Sequence, residues 1–139
     1  QGLALQKQNQ QVDVEHVMAS LLEQPNGLAT SILKRAEADP AGMLQRILRE
    51  VDKYPKVSTP TGAPDQVYVT VRLTKLFADA EQEAKKRKDD FLSVEHLLLA
   101  TTQDQGATGR LFKEDGLTRE RLENAIQNVR GSQRVTTQN

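Results

Sequence analysis

Along residues 14–22, VEHVMASLL, the apolar side chains Val14, Val17, Met18, Leu21 and Leu22 fall at i, i+3, i+4, i+7 and i+8. That spacing puts all five on one face of a helix. Asp13 stands where an N-cap is needed, and Glu15 in the first turn suits the positive end of the helix dipole. Pro25-Asn26-Gly27 ends the helix. Leu28, Ile32, Leu33 and Ala36 mark a short second helix. Asp39-Pro40, an N-cap followed by proline at the first helical position, opens a third with Met43, Leu44, Ile47, Leu48 and Val51 facing inward.

The second half follows the same plan. Ser93 caps a helix with Val94, Leu97 and Leu98 on one face, and Gly106 breaks it. Leu111 and Phe112 belong to a short helix ending at Asp115-Gly116, a glycine C-terminal cap. Thr118 caps a last helix whose Leu122, Ala125, Ile126 and Val129 again follow the helical period, and Gly131 closes it. Shifting the halves by 80 positions superposes Asp13 on Ser93 and Val-Glu-His on Val-Glu-His. After one deletion in the turn, Ile32 meets Leu111, Asp39 meets Thr118, Met43 meets Leu122 and Ile47 meets Ile126. Caps and core positions recur in order, as an internal duplication requires.

Each half needs a helix ahead of its Val-Glu-His element. In the second, Thr70 caps a stretch with Leu73, Leu76, Phe77, Ala80 and Ala84 inward; in the first, QGLALQKQN reads as the remainder of a helix trimmed at its front. The expected fold is therefore all-α, two four-helix repeats related by a pseudo-twofold axis. The first repeat covers 1–53, a proline-rich extended connector 54–67, the second repeat 68–131, and the start of a further linker 132–139.

Composition removes whole classes of chemistry. No cysteine is present among the 139 residues, which excludes disulfides, thiolate metal sites and cysteine nucleophiles and fits a reducing compartment. No run of eighteen apolar residues and no signal-peptide pattern points to membrane insertion or export. Nineteen basic residues balance nineteen acidic ones. The one basic cluster, KKRK at 85–88, lies between AEQEA and DD, and reads as a solvated helix end rather than a nucleic-acid footprint. Five aromatic residues, none of them tryptophan, leave little for base stacking.

His16 and His96 are the only histidines. Each stands alone behind its glutamate, without the second ligand one turn away that a zinc helix needs, so no metal site is expected. At the third helical position an imidazole can pack across the repeat interface or hydrogen-bond a loop. Ser20, Ser31, Ser58 and Ser93 show no nucleophile motif. Glu15 and Glu95 are accounted for by the helix dipole without an acid–base role. TPTGAP lacks the Lys-Ser/Thr end of a phosphate loop and follows no strand. What remains is surface: the DDFLSVE turn at 89–95, with Phe77 on the preceding helix, sets apolar groups beside acidic ones. Such a turn could accept an extended peptide bearing hydrophobic and basic residues, unless Phe77, Phe91 and Leu92 are simply core.

The capped Val-Glu-His helices, the short following helices and the DDFLSVEHLLLA stretch resemble the Clp N-terminal domain, a double Clp repeat, over nearly the whole chain. The Pro-Lys-Val connector and the closing VRGSQRVTTQN are most similar to the ClpB-type branch, the AAA+ disaggregase chaperones; an adaptor-docking domain of a ClpC- or ClpA-type protease chaperone is the alternative. The resemblance implies a non-catalytic module that binds unfolded or aggregated polypeptide weakly through an apolar groove. It implies a cytoplasmic parent chain that is homohexameric, uses ATP and Mg, and works with a DnaK-type chaperone, no cofactor being expected in this stretch. It implies substrate-binding roles for Phe77, Asp89 and Glu95. Gln11, where the second repeat has Phe91, implies that the two repeats do not offer equal sites.

Overall fold

A computed structural model of the chain describes residues 2–7, 9–56 and 67–137, with side chains through residue 131. Eight helices are present among them: α1 (Gly2–Gln6), α2 (Val14–Leu22), α3 (Leu28–Arg35), α4 (Pro40–Asp52), α5 (Val71–Lys86), α6 (Val94–Thr101), α7 (Ala107–Glu114) and α8 (Arg119–Thr137). Four fall in each half, as the duplicated pattern predicts. Most of the proline-rich connector, residues 57–66, lies outside the described residues.

The two halves share one interior. Met18, Ile32, Leu33, Met43 and Ile47 from the first half pack in a single cluster with Leu98, Leu99, Leu111, Phe112, Leu122 and Ile126 from the second. Apart from Leu99, these are positions the helical period picks out, and each of the eleven is at least 95% buried. A smaller cluster forms where α5 meets α6 and the start of α2. It contains Val12, Val14, Leu73, Leu76, Ala80 and Ala100, with Phe77, Val67 and Leu97 half-buried against it.

Local geometry repeats as well. α3 and α7 both end in the same two-bond motif: Glu37 N–H donates to the Lys34 carbonyl and Ala38 N–H to the Leu33 carbonyl, matched by Gly116 to Lys113 and Leu117 to Phe112. The motif requires a left-handed residue, supplied by Gly116 at φ 70° in one repeat and by Glu37 at φ 65° in the other.

Three details differ from the sequence pattern. A two-stranded parallel sheet joins β1 (Gln11–Val12) to β2 (Tyr68–Val69), in register Gln11 to Tyr68 and Val12 to Val69. Strands this short carry too few alternations to be legible as a period. Asp39 occupies the N-cap position of α4 with extended backbone, but its side chain makes no capping hydrogen bond. α8 does not stop at Gly131: it runs on to Thr137. A glycine inside a helix costs about 1 kcal/mol relative to alanine, which weakens a helix without ending it.

Candidate functional site

The N-terminus of α6 is built around His96. The Ser93 N–H donates to His96 Nδ1 at 2.9 Å, closing a capping box in which the imidazole takes the usual place of a glutamate or glutamine. With Nδ1 accepting, the ring proton belongs on Nε2, which points at Asp89 Oδ2 at 2.8 Å. The α2 terminus is wired identically: Asp13 N–H donates to His16 Nδ1 at 2.9 Å, and Nε2 faces Asn9 Oδ1 at 2.9 Å. Both histidines therefore hold architecture, each tying a helix start to the residue seven positions earlier. Burial lowers the pKa of His16 below its usual 6.5, which keeps its ring in the neutral form the cap needs.

Asp89 and Glu95 are brought together by a cation. Arg130, on α8, donates through Nη2 to Asp89 Oδ2 at 3.0 Å and pairs with Glu95 Oε1. Asp89 is held below its usual carboxyl range, first by the His96 hydrogen bond and then by Arg130. Asp89, Glu95 and His96 present ligand atoms within 4.8 Å of one another, and the guanidinium of Arg130 is the cation found there. Beside this notch the chain turns outward: Phe91 is 83% exposed and Leu92 41%. Neither is core. Phe77 is placed elsewhere, half-buried against the smaller apolar cluster, nine residues (roughly 14 Å) back from the end of α5.

The first repeat treats its equivalent glutamate differently. Glu15 is fully buried. Arg72 Nη2 donates to its Oε2 at 2.7 Å and Nη1 to its Oε1 at 3.1 Å, the Thr108 N–H donates at 3.0 Å, and the hydroxyls of Thr108 and Tyr54 complete the shell. Burial alone would raise its pKa, but these donors prevail and hold it at about 2. Arg72 also pairs with Asp13 and Asp104, so one guanidinium fastens α2, α5 and the loop before α7. The dipole account of Glu15 leaves out this buried network. The role of Arg72 is a long-range contact that no spacing reveals. Arg130 left a faint signal: it breaks the apolar period at the position where α4 has Val51.

The Clp repeat (R) N-terminal domain family matches residues 1–115. The chain belongs to that family. This Clp domain is 44% identical over 141 residues to chaperone protein ClpB 1 of Thermosynechococcus vestitus, covering 99% of the chain and 15% of that protein. It is 37% identical over 139 residues to chaperone protein ClpB of Bacillus anthracis, covering all of the chain and 16% of that protein. The Clp domain thus spans about one-sixth of the length of these relatives. Among solved structures, the Hsp104 N-terminal domain of Candida albicans superposes with a TM-score of 0.76 at 25% identity, over 94% of this chain and 83% of that one. The Clp domain is accordingly of the ClpB chaperone type, and no helix among its described residues is long and apolar enough to cross a membrane.

Proposed function

We propose that this Clp domain engages unfolded or aggregated polypeptide through the second-repeat turn at 89–95. The observation that carries the reading is the placement of Phe91 and Leu92, exposed to solvent, directly beside the Asp89–Glu95 carboxylates. Exposed apolar side chains rimmed by charge suit weak, sequence-tolerant binding of hydrophobic segments with basic neighbours. Phe77, half-buried on α5 away from the turn, supplies a separate apolar contact. Asp89 and Glu95 supply charge complementarity, and the domain serves as the client-contacting part of a longer chain. By its likeness to ClpB chaperones, that chain is a cytoplasmic, hexameric ATPase that binds ATP with Mg and cooperates with a DnaK-type chaperone.

Titrating reduced, carboxymethylated α-lactalbumin, which is permanently unfolded, into the ¹⁵N-labelled chain tests the reading. Amide shifts are expected at 89–95 and around Phe77. A titration that leaves those amides unmoved contradicts it.

A further inference from the structure

The turn between α2 and α3 carries a reactive pair of residues that the fold itself demands. Gly27 N–H donates to the Gln24 carbonyl at 3.1 Å, with Pro25 and Asn26 between them. Asn26 has φ 62°, so the turn is of type II, in which the third residue is left-handed. Asparagine is among the few residues with a side chain that tolerate that region. Gly27 is required for another reason: a Cβ there would meet Gln24 Cβ at 3.0 Å and the Gln24 carbonyl oxygen at 3.1 Å. Asparagine for the backbone angle and glycine for the close approach together place the chain's one Asn-Gly pair in this turn.

That pair has a chemistry of its own. With no side chain on the glycine, its backbone nitrogen can reach the Cγ of the preceding carboxamide. Gln24, Pro25 and Asn26 are exposed, and among the described residues the Asn26 side chain has no hydrogen-bond partner to hold it away. The other asparagines of the described residues are protected. Asn9 is 1% exposed, and its amide is fastened to the Pro55 carbonyl at one end and to His16 at the other. Asn124 and Asn128 lie within α8, where the helical ladder engages the N–H that follows each of them. Asp115-Gly116, the nearest analogue, offers a carboxylate paired with Arg46 at 2.8 Å, a poorer electrophile than an amide.

We propose that Asn26 is a site of spontaneous deamidation through a cyclic imide. The Gly27 N–H leaves the Gln24 carbonyl and gives its proton to hydroxide. The freed nitrogen bonds to Asn26 Cγ as the Cγ–Nδ2 bond breaks, and the departing group takes a proton from water to leave as ammonia, restoring the hydroxide. Water then adds to either carbonyl of the imide, opening it to aspartate or to isoaspartate. The two products differ in consequence. Aspartate keeps the backbone and sets a negative charge just ahead of Gly27, the N-cap of α3, a helix with no acidic residue in its first turn. Isoaspartate lengthens the backbone by one carbon inside the turn, where the Gly27 carbonyl also accepts from the Ser31 N–H at 3.0 Å. Because α3 inserts Ile32 and Leu33 into the shared core, that form should unfold at a lower temperature.

Incubating the chain at mildly alkaline pH and mapping its peptides by mass spectrometry tests the proposal. The segment holding Asn26 should gain the mass of an amide-to-acid exchange, at a rate proportional to hydroxide, while Asn9, Asn124 and Asn128 stay intact. Isoaspartate should be detected in the same segment by methyl transfer from S-adenosylmethionine with an isoaspartyl methyltransferase. The folded chain should react about fivefold more slowly than the chain in urea, the protection that one turn hydrogen bond provides. Asn26→Ser should abolish the acidic species; the map of the unaltered chain does not depend on that variant folding. An Asn26 that stays intact in the folded chain while the chain in urea converts overturns the proposal. So does earlier conversion at another asparagine, or an acidic species that persists in Asn26→Ser.

Discussion

Glu15 and Glu95 occupy the same place in two copies of one helix and do different work. Glu15 is sealed by Arg72, Tyr54 and Thr108, and its carboxyl is held at about 2 against an ordinary value of 4.5. A depressed folded value means that the unfolded chain binds more protons as pH falls. The stabilisation is therefore complete above about 4.5 and is lost between there and about 2, an effect of roughly 3 kcal/mol. The urea midpoint should drop steeply in that window, and Glu15→Gln should flatten the drop. At neutral pH the same variant should cost about 3 kcal/mol, because it leaves Arg72 with a buried partner that no longer balances it. Equal acid sensitivity of the variant and the native chain would show that the pair contributes nothing. Glu37 offers an opposite case. Its left-handed backbone, φ 65°, is where the other repeat places Gly116. Glu37→Gly should therefore raise stability by about 1 kcal/mol in thermal unfolding, whereas Gly116→Ala should lower it, since the added Cβ would also meet Arg121 Nη1 at 2.8 Å.

The helices that the apolar period predicts are all present, because each buries a face recorded at i, i+3, i+4 and i+7. The caps were legible too, down to Asp13, Thr70 and Ser93. The end of α8 was not. Glycine reads as punctuation, yet at Gly131 nothing lies within 4 Å and the helix continues to Thr137. Gly131→Ala should strengthen this stretch by about 1 kcal/mol, visible as added helical circular dichroism; unchanged helicity would show that the helix ends earlier in solution. The strand pair β1·β2 was hidden for another reason. Two residues per strand carry no usable alternation, and their partners are more than fifty positions apart. The candidate site was legible in the same uneven way. Asp89, Glu95 and the exposed apolar turn could be picked out from DDFLSVE. Arg130 comes from another part of the chain, and only folding brings it there.

At the scale of the molecule, the duplication is a single folding unit rather than two modules in series. The main cluster interleaves Met18, Ile32 and Ile47 with Leu99, Phe112 and Ile126, so neither half has a core of its own. Arg72 and Glu15 tie the halves at the periphery as well. Unfolding should therefore show one cooperative transition, and Leu99→Ala should lower its free energy by about 3 kcal/mol without splitting it. Residues 68–139 alone should lack a sharp transition; a cooperatively folded half would refute the shared core. The shared core frees the two Val-Glu-His termini to diverge: Arg72, Tyr54 and Thr108 seal Glu15 in the first, whereas Arg130 pairs with Glu95 in the second beside the exposed Phe91. That asymmetry is the central claim, and the titration of the ¹⁵N-labelled chain with unfolded α-lactalbumin tests it most directly. The account predicts shifts at 89–95 with the equivalent amides at 9–15 unmoved. Shifts of equal size at both termini, or at neither, would contradict it.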